Sequence, residues 1–377
     1  MLIITRKAVV IFILIFAFSF TSRALDNPEV SAMGAVLIDA DTLEILYEKN
    51  AYKKRSMAST TKIMTGLIAV ESGRLDDLVR VDKKPYIEGT AIGFDEGDTL
   101  SVKDLCYAML LESGNDAALL IAEFFAESEE NFSRIMNEKA AVLGMKNTNF
   151  VTASGLDADE HYTTAYDMAL LGAYAVRNPI FREICSTKSY KAEYAEPNKT
   201  RYFSNHNRLL TSCEGAIGIK TGFTKKSGRC LVSACERMGK ILVAVTLNAP
   251  DDWNDHEKLY NYGFSLYEEG EVNVAFPREI AIKGSDKSSI KLGGIDKITA
   301  VYLKNSSVTS KVYLNKITYA PVEMYDVSGK IVIYQNGIPI LEKSIISLEK
   351  ADIVADYKTS KKTLIQQIAD YIKNIFS

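Results

Sequence analysis

Ala58-Ser59-Thr60-Thr61-Lys62-Ile63-Met64-Thr65-Gly66-Leu67-Ile68-Ala69-Val70 carries apolar residues at helical spacing (Ile63, Met64, Leu67, Ile68 and Val70) and runs out near Gly73. The pattern predicts a buried helix over about 60–72. Lys49 to Met57 before it is basic and irregular. Ser59 and Lys62 therefore fall where an irregular segment enters a helix, three residues apart and on one face of its first turn. The free backbone N–H groups of that turn lie near the serine, where an oxyanion can develop. Serine is a poor nucleophile until a base takes its proton. A lysine amine can do so once burial and nearby cations bring its pKa down from about 10.4 toward neutrality. Taken alone, Ser-x-x-Lys is common by chance.

Two further motifs change its weight. Thr99-Leu100-Ser101-Val102 leads into a helix that ends at Ser113-Gly114, and Asn115 opens another over Asp116 to Phe125. A break between two apolar helices can project Ser113 and Asn115 into a cleft. Ser113 could there relay a proton to a leaving amine, and Asn115 could bind a substrate carbonyl or hold Lys62. Further on, Ile217, Ile219 and Thr221 alternate as a strand that ends at Gly222. Lys220 supplies charge that both lowers the pKa of Lys62 and attracts a carboxylate. Thr221 can donate to that carboxylate, and Gly222 leaves room for a peptide along the strand edge.

In this order the three motifs match Ser-x-x-Lys, Ser-x-Asn and Lys-Thr-Gly, the signature of penicillin-binding proteins and serine β-lactamases. Ala58 to Thr65, Leu111 to Ala118, His161 to Ala169 and Gly218 to Arg229 further resemble the low-molecular-mass D-alanyl-D-alanine carboxypeptidases, a similarity that spans roughly residues 31–265. The resemblance implies a mixed α/β, β-lactamase/transpeptidase-like domain: an antiparallel sheet flanked by helices, a mainly helical lobe, and the site between them. It implies that Ser59 attacks the carbonyl of the penultimate D-alanine of a peptidoglycan stem peptide, with Lys62 as general base and the backbone N–H groups of Ser59 and Phe223 as oxyanion hole. Terminal D-alanine would leave and water would hydrolyse the acyl-enzyme. β-Lactam antibiotics would trap the same serine, and no metal or organic cofactor is required. One stretch departs from the pattern. Relatives often carry an Asn-Pro-His-Gly-Leu-like loop where this chain reads Val151-Thr152-Ala153-Ser154-Gly155-Leu156. Substrate preference or rate could differ there, although the loop is not expected to touch the three motifs.

The rest of the chain is consistent with an exported enzyme. Arg6 and Lys7 precede the apolar run Ala8 to Phe20, and Ser22-Arg23-Ala24 offers small residues for cleavage, which reads as an export signal over 1–24. The chain of 377 residues is 47% hydrophobic and 25% charged with a formal charge of -3, values of a soluble globular protein that argue against nucleic acid as partner. Cys106, Cys185, Cys213, Cys230 and Cys235 form no CxxC pair and no zinc spacing, so they read as buried thiols with a disulfide left open. His161, His206 and His256 stand in no charge-relay order with Ser59. His161 reads as a residue that caps or packs a loop, and Asn205-His206-Asn207 as cleft-side structure.

The strands of the catalytic domain read as Ala32 to Ile38 and Leu43 to Tyr47 around a polar turn, then the run from 217, Arg229 to Cys235 and Lys240 to Leu247. Phe132 to Leu143 and Asp251 to Tyr267 read as helices. The expected catalytic domain is thus 25–268. Short alternating runs from Val272 onward, with turns such as Asn336-Gly337, predict a small all-β domain over 269–352. Leu364, Ile365, Ile368, Ile372, Ile375 and Phe376 share one face of a terminal helix over 353–377, which suits a membrane surface. Two readings compete with the carboxypeptidase on the same fold, a β-lactamase and an endopeptidase of D,D cross-links. The chain shows no Glu-x-x-Leu-Asn loop of the kind class A β-lactamases carry, which counts against the former. A non-catalytic scaffold would be expected to lack Ser59, Lys62 or Lys220, and all three are present.

Overall fold

The computed structural model describes residues 27–354. The expected export signal and nearly all of the expected tail helix lie outside the described residues. The chain enters the sheet at β1 (Gly34–Asp39) and returns in β2 (Ile45–Lys49). The basic segment then leads to one 3-10 turn, Ala58–Thr61, which runs straight into α1 (Lys62–Glu71). A hairpin of β3 (Leu78–Arg80) and β4 (Thr99–Ser101) precedes α2 (Val102–Leu111), α3 (Asn115–Ala126) and α4 (Glu129–Val142). The lobe continues with α5 (Ala165–Arg177), α6 (Pro179–Ser186), the hairpin β5 (Ser189–Glu193) and β6 (Thr200–Ser204), and the single turn α7 (Leu209–Ser212). The sheet resumes with β7 (Ala216–Thr224), β8 (Gly228–Arg237) and β9 (Lys240–Leu247), and α8 (Asp252–Ser265) closes the unit.

The five long strands form one antiparallel sheet in the order β2-β1-β9-β8-β7. Both faces are covered, so its central strands read as continuous apolar runs although the pairing is antiparallel. Alternate side chains nevertheless go to different cores, as the period of two requires. Val36 and Ile38 of β1 join Val243 and Val245 of β9 in the large core beneath α1 and α5. Ala35 and Leu37 join Leu242 and Ala244 in the smaller core with Leu259, Tyr260 and Phe264 of α8. Each fully buried Leu, Val or Phe contributes about 1.5–3 kcal/mol, so this double cover is the main stabilising feature of the unit. The β8–β9 connection is a two-residue turn with Met238 at φ 53° and Gly239 at φ 70°, the primed geometry that suits the strand twist.

Past α8 the chain is all strand: β10 (Tyr267–Asn273), β11 (Glu279–Lys283), β12 (Ser289–Gly293), β13 (Lys297–Leu303), β14 (Val308–Leu314), β15 (Ile317–Tyr319), β16 (Val327–Gln335) and β17 (Ile338–Ser347). β10 pairs with β13, and the others form a sheet in the order β14-β16-β17-β12-β11-β15 around a separate apolar core. The first strand starts five residues before the expected Val272, and β17 starts six before the expected Ser344. Beyond the buried Tyr267, the added residues are charged, glycine or at least partly exposed, and apolar alternation gives no signal there. The join is packed: Tyr267 and Leu303 enter the core beneath α8, and the Tyr267 hydroxyl donates to Asp39 Oδ2 at 2.6 Å.

Candidate active site

The 3-10 turn and α1 put Ser59 and Lys62 side by side. Lys62 Nζ lies 2.9 Å from Ser59 Oγ, 2.6 Å from Asn115 Oδ1 and 2.6 Å from the Ser154 carbonyl. The lysine is fully buried, with no carboxylate among its hydrogen-bond partners. Burial first, and the charge of Lys220 second, push its pKa well below the usual lysine range, against a weaker opposite pull from Asp116 and Glu129. Lys220 is likewise buried and is brought down to about 7 by desolvation. An amine held neutral against a serine hydroxyl can accept its proton.

Asn115, the first residue of α3, is held from both ends: its Nδ2 donates to the Glu88 carbonyl at 2.8 Å and its N–H to the Thr90 carbonyl at 2.8 Å. Asp116 beside it was not singled out by the sequence. It is buried and accepts from the N–H groups of Ile92 at 2.9 Å and Gly93 at 2.7 Å, fastening the loop over 83–93 to the start of α3. A carboxylate in the first turn of a helix is also favoured by the dipole. Ser113 sits at the break itself with φ 65°, and among the described residues its hydroxyl hydrogen-bonds neither Ser59 nor Lys62.

β7 passes close to the 3-10 turn and brings Lys220, Thr221 and Gly222 to the same place. A Cβ on Gly222 would stand 3.0 Å from Ser59 N and 3.1 Å from Ala58 Cβ, so glycine here lets strand backbone lie against the nucleophile's turn. Phe223, next in line, is two-thirds exposed at the mouth, and Lys220 Nζ donates to the Thr221 carbonyl at 3.1 Å.

The departing loop does touch the motifs, and the expectation that it would not is corrected: the Ser154 carbonyl is one of the three hydrogen-bond partners of Lys62. Identity at position 154 is immaterial to a main-chain acceptor, which is why a changed sequence preserves the contact. Thr65 Oγ1 donates to the Ala153 carbonyl at 2.7 Å, and Glu129 Oε1 accepts from the Ala153 N–H at 2.8 Å. Gly155, at φ 85°, lies so close that a Cβ would stand 2.0 Å from the Ala58 carbonyl oxygen. His161 packs under this loop as expected, and further ties it to Thr61. Asn205 Nδ2 donates to the Cys185 and Thr187 carbonyls, a structural role. His256 is buried between Ser233 and Thr246 beneath α8. All five cysteines are buried free thiols, and the Cys213 and Cys235 thiols both donate to the Glu214 carbonyl. Among the described residues no group of three His, Cys, Asp or Glu side chains is placed to hold a metal ion.

A lysine-paired serine between a helical lobe and the edge strand of a covered antiparallel sheet defines a serine hydrolase of the penicillin-binding class. Residues 21–251 match the model of peptidase family S11, D-alanyl-D-alanine carboxypeptidase, and the chain belongs to that family. It is 33% identical over 353 residues to D-alanyl-D-alanine carboxypeptidase DacC of Escherichia coli, covering 88% of this chain and 86% of that one. It is 30% identical over 337 residues to DacF of Bacillus subtilis, covering 84% and 85%. Among solved structures, penicillin-binding protein 5 from Haemophilus influenzae aligns with a TM-score of 0.61 at 28% identity, covering 86% of this chain and 98% of that one. The Streptomyces K15 DD-transpeptidase aligns with a TM-score of 0.59 at 30% identity, covering 64% and 99%. The chain is a serine-type D-Ala-D-Ala carboxypeptidase that acts on peptidoglycan stem peptides through an acyl-enzyme.

Proposed function

We propose that Ser59 is the acylated nucleophile and that Lys62 is its base. The contact of 2.9 Å between a buried, neutral-leaning amine and the serine hydroxyl carries this reading. Proton transfer to Lys62 Nζ frees Ser59 Oγ to attack the carbonyl of the penultimate D-alanine. The oxyanion is met by the N–H groups of Ser59 and Phe223. As the tetrahedral intermediate collapses, the C–N bond breaks and the leaving amine takes a proton that Ser113 relays from Lys62. Asn115 orients the substrate and holds Lys62. Lys220 and Thr221 receive the terminal carboxylate, while Gly222 keeps the strand edge open for the peptide. Water then adds to the ester by the same base and releases the shortened stem. Labelling by a fluorescent penicillin tests the assignment. The parent chain should be labelled covalently and Ser59→Ala should not, and labelling that persists in the variant would sink it.

Residues 25–268 are the proposed catalytic domain and 269–352 a β-rich spacer. Export by the segment 1–24, and attachment of the apolar face of 353–377 to the outer surface of the cytoplasmic membrane, complete the reading. No helix among the described residues is long and apolar enough to cross a membrane. The proposed attachment is peripheral because the apolar residues of the tail share one face while Lys361, Lys362, Gln366, Gln367, Asp370 and Lys373 take the other. Co-sedimentation with anionic vesicles should be lost on removing residues 355–377, and unchanged sedimentation would remove the anchor.

A further inference from the structure

A relay of hydrogen bonds outside the three motifs ends on the peptide unit that carries the nucleophile's N–H. His161 Nδ1 accepts from the Val151 N–H at 2.9 Å, with the Thr152 N–H at 3.4 Å. A ring nitrogen that accepts is bare, so the neutral imidazole carries its proton on Nε2. Nε2 lies 2.9 Å from Thr61 Oγ1 and therefore donates to it. The Thr61 hydroxyl spends its own proton on the Ala58 carbonyl at 2.9 Å. Every link thus has one direction. Burial pushes the His161 imidazole down to about 4, which keeps that tautomer neutral near physiological pH.

The Ala58 carbonyl and the Ser59 N–H are opposite ends of one planar peptide unit, so holding the oxygen sets the direction of the N–H. The unit needs holding. Ala58 is buried at φ 49°, a left-handed conformation that is strained for a residue with a Cβ and persists only where its surroundings enforce it. The loop over 151–155, gripped by His161 at its start, closes on the same carbonyl through Gly155 and gives its Ser154 carbonyl to Lys62. One imidazole is therefore tied to both halves of the reacting centre.

We propose that His161, acting through Thr61, is a positioning residue that aims the Ser59 backbone N–H at the developing oxyanion and keeps the 151–155 loop seated on Lys62. This rests on the reading of Ser59 as the acylated nucleophile. Simple packing is the competing account, since the His161 ring also meets Phe150 edge to face at 6.2 Å between centroids. The two separate experimentally. Thr61→Val keeps shape and removes only the hydroxyl, Thr61→Ser keeps the hydroxyl, and His161→Phe keeps an aromatic ring without its nitrogens.

Stopped-flow acylation of the full chain by a penicillin, resolved into non-covalent affinity and the acylation step, is measured beside thermal unfolding. Thr61→Val and His161→Phe should each slow the acylation step by about 10–100-fold, with affinity held within about twofold. The double variant should be no slower than the slower single, and Thr61→Ser should stay within about threefold of the parent. Parental acylation by folded Thr61→Val overturns the relay, as do losses that multiply in the double variant. If His161→Phe fails to fold, the Val and Ser pair at position 61 decides alone. A parent that is not labelled at all overturns the assignment of Ser59 itself, and the relay falls with it.

Discussion

Lys62 is the proposed base, and its surroundings dictate how the enzyme should respond to pH. A protonated amine cannot take the serine proton, so acylation should rise with pH through the Lys62 pKa, at a midpoint well below 10.5. Lys220 acts in the opposite sense. It must be charged to attract a carboxylate and is brought down to about 7, so affinity should weaken as pH climbs past that value. A bound carboxylate shifts this limb upward, and kcat/KM should be bell-shaped. A guanidinium stays charged up to a pKa above about 12, so Lys220→Arg should lose the falling limb. For the same reason Lys62→Arg should acylate at least about a thousandfold more slowly, since it has no basic form to offer. Pre-steady-state acylation across pH checks all three outcomes. Ser59, Lys62, Asn115 and Lys220 were legible because their chemistry lies in side chains at short, fixed spacings. The Ser154 carbonyl was not legible, because a main-chain acceptor leaves no mark in residue identity. Asp116 and Glu129 were passed over because each holds backbone N–H groups whose position only the fold supplies.

At the scale of elements, the start of α3 and the face of α8 are the most exposed to test. Asp116 fastens Ile92 and Gly93 to the helix that carries Asn115, so Asp116→Ala leaves the buried Ile92 N–H and the Gly93 N–H without their acceptor. It should destabilise by about 2–3 kcal/mol and slow acylation as the loop loosens. Denaturant unfolding beside penicillin labelling separates the two effects. Gly263 lets α8 lie flat on the sheet, and a Cβ there would stand 2.4 Å from Leu37 Cδ2 and 2.8 Å from Leu242 Cδ1. Both leucines are fully buried, so Gly263→Ala should cost about 1–3 kcal/mol by overpacking while leaving the acylation rate intact. The amphipathic or capped elements were legible. Residues 62–71, 115–126 and 252–265 follow the apolar pattern closely. α5 was not read as a helix: it lies between α1 and the sheet with nine buried residues around most of its circumference, and such a segment shows no polar face to reveal its period. β3, β4 and β15 are three residues each, too short for alternation to register.

Across the whole molecule, the serine-bearing unit and the β-rich unit meet along α8, β10 and β13. Gln335 of β16 accepts from the Leu303 N–H at 2.8 Å and donates to Glu44 beyond β1 at 3.1 Å, which ties the units at a second point. The Streptomyces transpeptidase is spanned over 99% of its length by 64% of this chain, which argues that the catalytic half is a complete fold. A chain cut after Ser265 should therefore still be labelled by penicillin, but should melt several degrees lower because Tyr260 and Phe264 lose the cover of Tyr267 and Leu303. Failure to fold would make the β unit integral to the enzyme rather than a spacer. The two-unit plan was visible in the change from long apolar runs to short alternating ones. The packed joint was not, because Tyr267 and Leu303 read locally as ordinary strand residues. The most direct test of the account is release of free D-alanine from a stem peptide ending in D-alanyl-D-alanine, by the parent chain and by Ser59→Ala. The account requires release by the parent and none by the variant, and D-alanine released equally by both would contradict it.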